Sequence, residues 1–256
     1  MRNTNRGSRK LLLRASLALG LLAALAGAAS AVAAGPTPAL KYSKAVCAAV
    51  PVGKAHCMSY VVTNKAGTPL VSSPNAVSGY GPVQFQTAYG LTAAAAASTN
   101  EVVAIVDAYN NPNAKADLDV YSQQFGLPVM PTCAGASAAG CFKKVDQTGG
   151  SNYPVGDTGW GLEIALDVET VHAVCPNCGI LLVEANSNND SDLYTAVDYA
   201  ATQADVVSNS WGGGEYSGQL SDDAHFNHPG IAITVSTGDD GYGGGVEYPS
   251  SSRYVT

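Results

Sequence analysis

The run Val102-Val103-Ala104-Ile105-Val106 constrains this chain more than any other stretch. Five consecutive apolar residues, most of them β-branched, have no polar face to offer water and read as a strand buried on both sides. Such a strand needs helices over both faces, and the following sequence supplies them. Residues 114–125 predict a helix, with Leu118, Tyr121 and Phe125 spaced along one face and Gly126 and Pro128 ending it. Residues 160–174 and 190–203 predict two more helices, and residues 179–183, 206–209 and 231–235 predict strands. The alternation predicts an α/β fold with a doubly wound, mostly parallel sheet and helices on both faces. A chain that is 46% apolar and only 13% charged does not have a disordered composition. It carries no Lys/Arg stripe outside its extreme N-terminus, so a nucleic-acid partner is not expected.

The first 34 residues stand apart from that pattern. Arg2, Arg6, Arg9, Lys10 and Arg14 precede an uncharged Ala/Leu-rich run from Ala15, and Ala31-Val32-Ala33 offers small residues for cleavage near Ala33 or Ala34. Residues 1–34 therefore read as a signal peptide of a secreted, extracellular protein. The alternative is a retained anchor, since the run approaches the roughly 20 residues that span a bilayer. No later segment is long and apolar enough to span, so no membrane partner is expected after leader removal. The remainder has eight basic residues against 20 acidic ones. Residues 35–80, punctuated by Pro36, Pro38, Pro51, Pro69 and Pro74, form a short N-terminal extension, and residues 81–256 form the main domain.

All six cysteines lie beyond the leader. Their order suggests local disulfides, Cys47 with Cys57, Cys133 with Cys141 and Cys175 with Cys178, among the 15 connectivities that six cysteines permit. The Cys175-Pro176-Asn177-Cys178 spacing also suits half a zinc site or a redox motif, but the sequence holds no second C-x-x-C and no thioredoxin-like context.

In open α/β sheets, ligands bind at the carboxyl ends of the strands. The first strand ends at Asp107, a later one runs into Ser208-Asn209-Ser210-Trp211-Gly212-Gly213-Gly214, and the last runs into Ser236-Thr237-Gly238-Asp239-Asp240-Gly241. Glu163 and Asp167, four apart on the 160–174 helix, share one helical face. A bland reading puts Glu163 in the first turn, favoured by the helix dipole, and Asp167 in solvent. The alternative is a pair in a dry cleft, with pKa values pushed apart to give an acid and a base that work below neutral pH.

Four blocks in this order resemble the sedolisin family of serine-carboxyl peptidases, enzymes of subtilisin-like fold: Val103-Ala104-Ile105-Val106-Asp107, Glu163-Ile164-Ala165-Leu166-Asp167, Ser208-Asn209-Ser210-Trp211-Gly212-Gly213 and Ser236-Thr237-Gly238-Asp239-Asp240-Gly241. The resemblance covers residues 81–256. It implies that Glu163 is the general base, that Asp167 orients it, and that Asp239 is a protonated carboxyl donating to the oxyanion. It places Asp107 and Trp211 in the supporting hydrogen-bond shell, and makes Ser210, Trp211, Gly212 and Gly213 the edge on which a peptide pairs. A carboxylate base suits acid, where a histidine base is protonated. An ordinary subtilisin would need a histidine in a His-Gly-Thr-His-Val context, and none of His56, His172, His225 and His228 has it.

The family's nucleophile lies in a Gly-Thr-Ser-x-Ser block, and no such block occurs here. Ser250, Ser251 and Ser252 follow Pro249 in what the resemblance makes a structural turn, so no nucleophile is assigned. The expectation is a secreted serine-carboxyl endopeptidase acting on protein or peptide substrates at acidic pH, a monomer when complete. As written it is expected to be inactive, truncated at the C-terminus, with no metal or cofactor of its own. The nucleophile and the calcium site that the resemblance implies would then lie in the missing part. The alternative is a non-catalytic secreted peptide-binding protein, or a decayed peptidase remnant.

Overall fold

The structure, a computed structural model, describes residues 42–70 and 79–256; the predicted leader lies outside the described residues. Three short strands come first, β1 (Ser43–Ala45), β2 (His56–Cys57) and β3 (Tyr60–Val62), then helices α1 (Pro82–Ala88) and α2 (Thr92–Ala96). The α/β body follows as β4 (Val102–Ala108), α3 (Ala114–Phe125), β5 (Phe142–Asp146), α4 (Thr158–Val174), β6 (Gly179–Ala185), α5 (Asp190–Ala201), β7 (Val206–Asn209), β8 (Trp211–Gly214), α6 (Gln219–Asp222), β9 (Ala232–Val235) and β10 (Glu247–Tyr248).

The predicted buried strand, β4, is the centre of a five-stranded sheet in the order β5-β6-β4-β7-β9, with every neighbouring pair parallel. Alternation along the strands separates two cores. Ile105, Ile180 and Leu182 point to one face, where they meet Leu118 of α3 and Ile164 and Val168 of α4. Ala104, Val106, Leu181 and Val183 point to the other and meet Leu193, Ala196, Val197 and Ala200 of α5. Each large aliphatic side chain sealed this way contributes about 1.5–3 kcal/mol relative to exposure, which makes these two layers the main driving force of the fold.

Several boundaries differ from the sequence expectation for local reasons. Helix α4 begins at Thr158, before residue 160, because Asp157 caps it by accepting a 2.9 Å hydrogen bond from the Trp160 amide. Glu163 therefore lies beyond the first turn, and the dipole explanation for its presence does not hold. Helix α5 stops at Ala201, where the Thr202 hydroxyl donates to the Tyr199 carbonyl. Strand β5 has no counterpart in the sequence reading, because Lys143 and Lys144 interrupt its apolar pattern. Strands β4 and β6 run on through Asp107 and Glu184, acids that are completely buried. His172 is also buried, its Nε2 2.9 Å from the Pro128 carbonyl, and serves packing.

Cys47–Cys57, Cys133–Cys141 and Cys175–Cys178 are all disulfide-bonded, which removes Cys175 and Cys178 from zinc or dithiol chemistry in this state. The first bridge ties down the N-terminal strands. Strand β1 pairs antiparallel with β3, whereas β2 leaves them and pairs antiparallel with β8, in a small sheet of order β10-β8-β2. Ala55 and Cys57 are buried in the same apolar cluster as Trp211. Among the described residues, no helix is long and apolar enough to cross a membrane.

Candidate active site

The carboxyl end of the central strands is lined with acids. Asp107 of β4 and Glu184 of β6 are register partners, and helix α4 brings Glu163 and Asp167 close enough for their charges to act on Asp107. Neither Asp107 oxygen has a hydrogen-bond partner among the described residues, and burial, reinforced by Asp167, Glu163 and Glu184, raises its pKa well above the ordinary range. Burial and the Glu163 charge push Asp167 up to about 8, although Ser210 Oγ donates to its Oδ1 at 3.0 Å. Burial raises Glu184 to about 7 against the pull of the Asn111 amide and the Lys144 ammonium, which lie 2.8 and 3.3 Å from its Oε1.

Glu163 is 2% exposed, and its Oε2 accepts a 2.7 Å hydrogen bond from the Ser59 backbone amide. Its pKa is raised by burial, opposed by hydrogen bonds from Ser59 and Met58, and raised further by Asp239. Asp239 follows β9 on the rim, exposed to solvent, its pKa raised by partial burial and then by Asp240 and Glu247. The adjacent Asp240 is engaged elsewhere, its Oδ1 accepting from the Tyr60 hydroxyl at 2.6 Å.

Between these acids runs the edge of β8. Trp211 is buried, and its Nε1 donates to the Val106 carbonyl at 2.9 Å, tying the edge to the residue before Asp107. Gly212 pairs with His56, and Trp211 with Cys57. Gly213 is sterically required, since a Cβ there would lie 2.6 Å from the Lys54 carbonyl oxygen, whereas one on Gly212 would lie 2.6 Å from Glu247 Oε2 and 2.9 Å from the end of the Met58 side chain, which would have to move. The structure thus brings Asp107, Glu163 and Asp167 together, with Ser210 on Asp167, Asp239 near enough for its charge to act on Glu163, and Trp211 tying β8 to β4.

Sequence reasoning missed the strand that pairs with β8. The stretch from Ala55 to Tyr60, read as loosely patterned extension, lies along the edge, with Asn188 fixing Ala55 through its backbone carbonyl and its side-chain amide. Glu247, which sequence reading did not single out, contacts this strand through His56. His225 and His228, unassigned from sequence, lie 2.7 and 3.4 Å from the half-exposed Asp198 carboxylate, and His225 stacks on Tyr194.

With this geometry in place, the chain can be compared with known proteins. Residues 132–256 match the subtilase family. A Pseudomonas sedolisin, a serine-carboxyl proteinase complexed with two molecules of pseudo-iodotyrostatin, shares the fold with a TM-score of 0.56 at 21% identity. The match covers 70% of this chain and 53% of that one, so this chain spans about half the length of the matched structure. No curated protein matches. The fold is subtilisin-like.

The calcium implied by the sequence resemblance finds no fitting donor set here: among the described residues, no three His, Cys, Asp or Glu side chains are arranged to hold a metal ion. No chemical step is drawn through it.

Proposed function

We propose that the chain carries the carboxyl-group machinery of a secreted serine-carboxyl endopeptidase that hydrolyses peptide bonds at acidic pH. The observation that carries this reading is the 2.7 Å hydrogen bond from a peptide N–H, that of Ser59, to Glu163, made by a strand that pairs with the 211–212 edge. A base that first takes the nucleophile's proton and then returns it to the leaving amine must reach both atoms, and Glu163 already meets an amide nitrogen in that place. Asp167, held neutral in acid by burial, orients the Glu163 carboxyl. Asp239, with its pKa raised, stays protonated further up the acid range and can donate to the oxyanion. Trp211 and Asp107 support the edge and the acids from below. In this proposal the serine nucleophile is supplied from outside these 256 residues, since no Gly-Thr-Ser-x-Ser block occurs among them. The basic leader and three disulfides support secretion.

The test starts with the source DNA beyond the codon for Thr256. A frame that continues into Gly-Thr-Ser-x-Ser, and a product that degrades protein at about pH 4 but loses this with Glu163→Ala, supports the proposal. Full activity of Glu163→Ala overturns it. A stop codon moves the reading to peptide binding without catalysis, which the strand already seated on β8 also favours.

A further inference from the structure

The geometry points to Glu247 as a specificity-determining residue that selects a basic side chain, Lys, Arg or protonated His, at the third residue before the bond to be cut. This inference rests on the proposed peptide edge and names the substrate class of that same site.

The chain's own strand supplies the template. With His56 opposite Gly212, Cys57 opposite Trp211 and the Ser59 amide on Glu163, the peptide bond between Met58 and Ser59 occupies the position of the reacting bond. Counting back from that bond, His56 is the third residue, and its Nε2 donates to Glu247 Oε1 at 3.2 Å. Glu247 belongs to β10, which pairs with the opposite side of β8 from the strand, so the contact is made across the edge and not within the strand.

The surroundings hold that carboxylate in place and leave it capacity for a cation. Its side chain is 16% exposed, its Oε2 is buried with no hydrogen-bond partner among the described residues, and the absence of a side chain at Gly212 makes room for it. Histidine satisfies one oxygen. A guanidinium presents a planar fork of donors to both, and an ammonium carries a compact permanent charge. A neutral side chain leaves the carboxylate desolvated without compensation, and an acidic one repels it.

The experiment uses the 256-residue chain with Ser59→Pro, which deletes the N–H that donates to Glu163 and so unseats the internal strand. The probes are fluorescent octapeptides reproducing residues 53–60, with Ser replacing Cys57 and Arg, His, Ala or Glu at the position of His56. Fluorescence anisotropy is expected to rank Arg and His above Ala by about tenfold, with Glu weakest, and Glu247→Gln is expected to flatten the series. Equal affinities for all four peptides, or a series unchanged by Glu247→Gln, overturn the inference.

Failure of the peptide edge itself has a different signature. If no peptide binds while hydrogen exchange shows residues 54–60 released and residues 179–185 still protected, the edge does not take peptides, and both readings fall. Should Ser59→Pro not fold, the intramolecular pair provides the assay. His56→Glu is expected to lose exchange protection over residues 54–60 several-fold, and adding Glu247→Lys to restore it by reversing the pair. A role confined to packing predicts no such rescue, and its absence overturns the inference.

Discussion

At the scale of single residues, the site is a problem of protons. Asp107 has both carboxyl oxygens buried without partners among the described residues, beside Asp167, Glu163 and Glu184, and in the folded chain it holds its proton well above the usual carboxylate range. Asp107→Asn keeps the shape and removes the titration. It is expected to raise the melting temperature by about 2–4 °C at about pH 8, where the carboxyl is under pressure to ionise, and to leave it unchanged at about pH 4. Scanning calorimetry at the two pH values checks this, and an equal shift at both would mean that ionisation is not the cause. Asp239 differs because its task lies at the rim. On the proposed function, Asp239→Ala in an active peptidase is expected to lower kcat on the order of 10²- to 10³-fold with KM little changed, the signature of a donor used only in the transition state. Steady-state kinetics on a peptide substrate separates this from a binding role, which would raise KM instead.

At the scale of elements, helix α4 matters most because it presents both Glu163 and Asp167. Asp157→Ala removes its cap and is expected to cost about 1 kcal/mol, read as a lower midpoint in urea unfolding with unchanged slope. Gly179, which opens β6, is under a stronger constraint: a Cβ there would sit 2.2 Å from the Ala138 carbonyl oxygen, a backbone atom that cannot swing aside. Gly179→Ala is expected to destabilise by about 1–3 kcal/mol in the same assay. These elements also show what was legible beforehand. Strand β4 and helix α3 could be read directly, because an unbroken β-branched run and a periodic apolar face with a glycine stop each have one local solution. The acids at the carboxyl ends of the strands were placed by the topology rule and the motif blocks. Strand β5 was hidden by Lys144, whose charge looks like a surface signal until its ammonium is seen 3.3 Å from Glu184, two residues along β6 from its register partner Leu182. Strand β2, paired with β8, was hidden for a deeper reason. Two paired residues, His56 and Cys57, carry no periodicity, and their partner lies more than 150 positions away in sequence.

At the scale of the whole molecule, buried carboxyls make stability depend on pH in an unusual direction. In the fold Asp167 titrates at about 8, Glu184 and Glu169 at about 7 and Asp190 at about 6, each raised first by burial. Once unfolded, all four return to the ordinary carboxylate range near pH 4. Between these limits the folded chain binds more protons than the unfolded one, so unfolding releases protons and stability falls as pH rises. The contribution is complete below about pH 4 and is lost progressively from there to about pH 8. Three groups oppose it at the acid end, among them Glu215, whose pKa is lowered by hydrogen bonds from Gln219 and Ser251. His172, buried with a lowered pKa, stays neutral in the fold while the unfolded chain takes up a proton below about pH 6.5, and Asp146, whose pKa is lowered by hydrogen bonds from Gly150, Thr148 and Asn152, loses that advantage on protonation. These four carboxyls, together with Asp107, Glu163 and Asp239, which are raised as well, outweigh one histidine over the middle of the range. The melting temperature is therefore expected to be higher at about pH 5 than at about pH 8 and to decline again as Asp146 protonates. A thermal-melt series across this range checks it. A maximum at or above neutrality would mean that these acids are hydrated and ionised in the fold, which removes the physical basis for a carboxyl-based peptidase site working in acid.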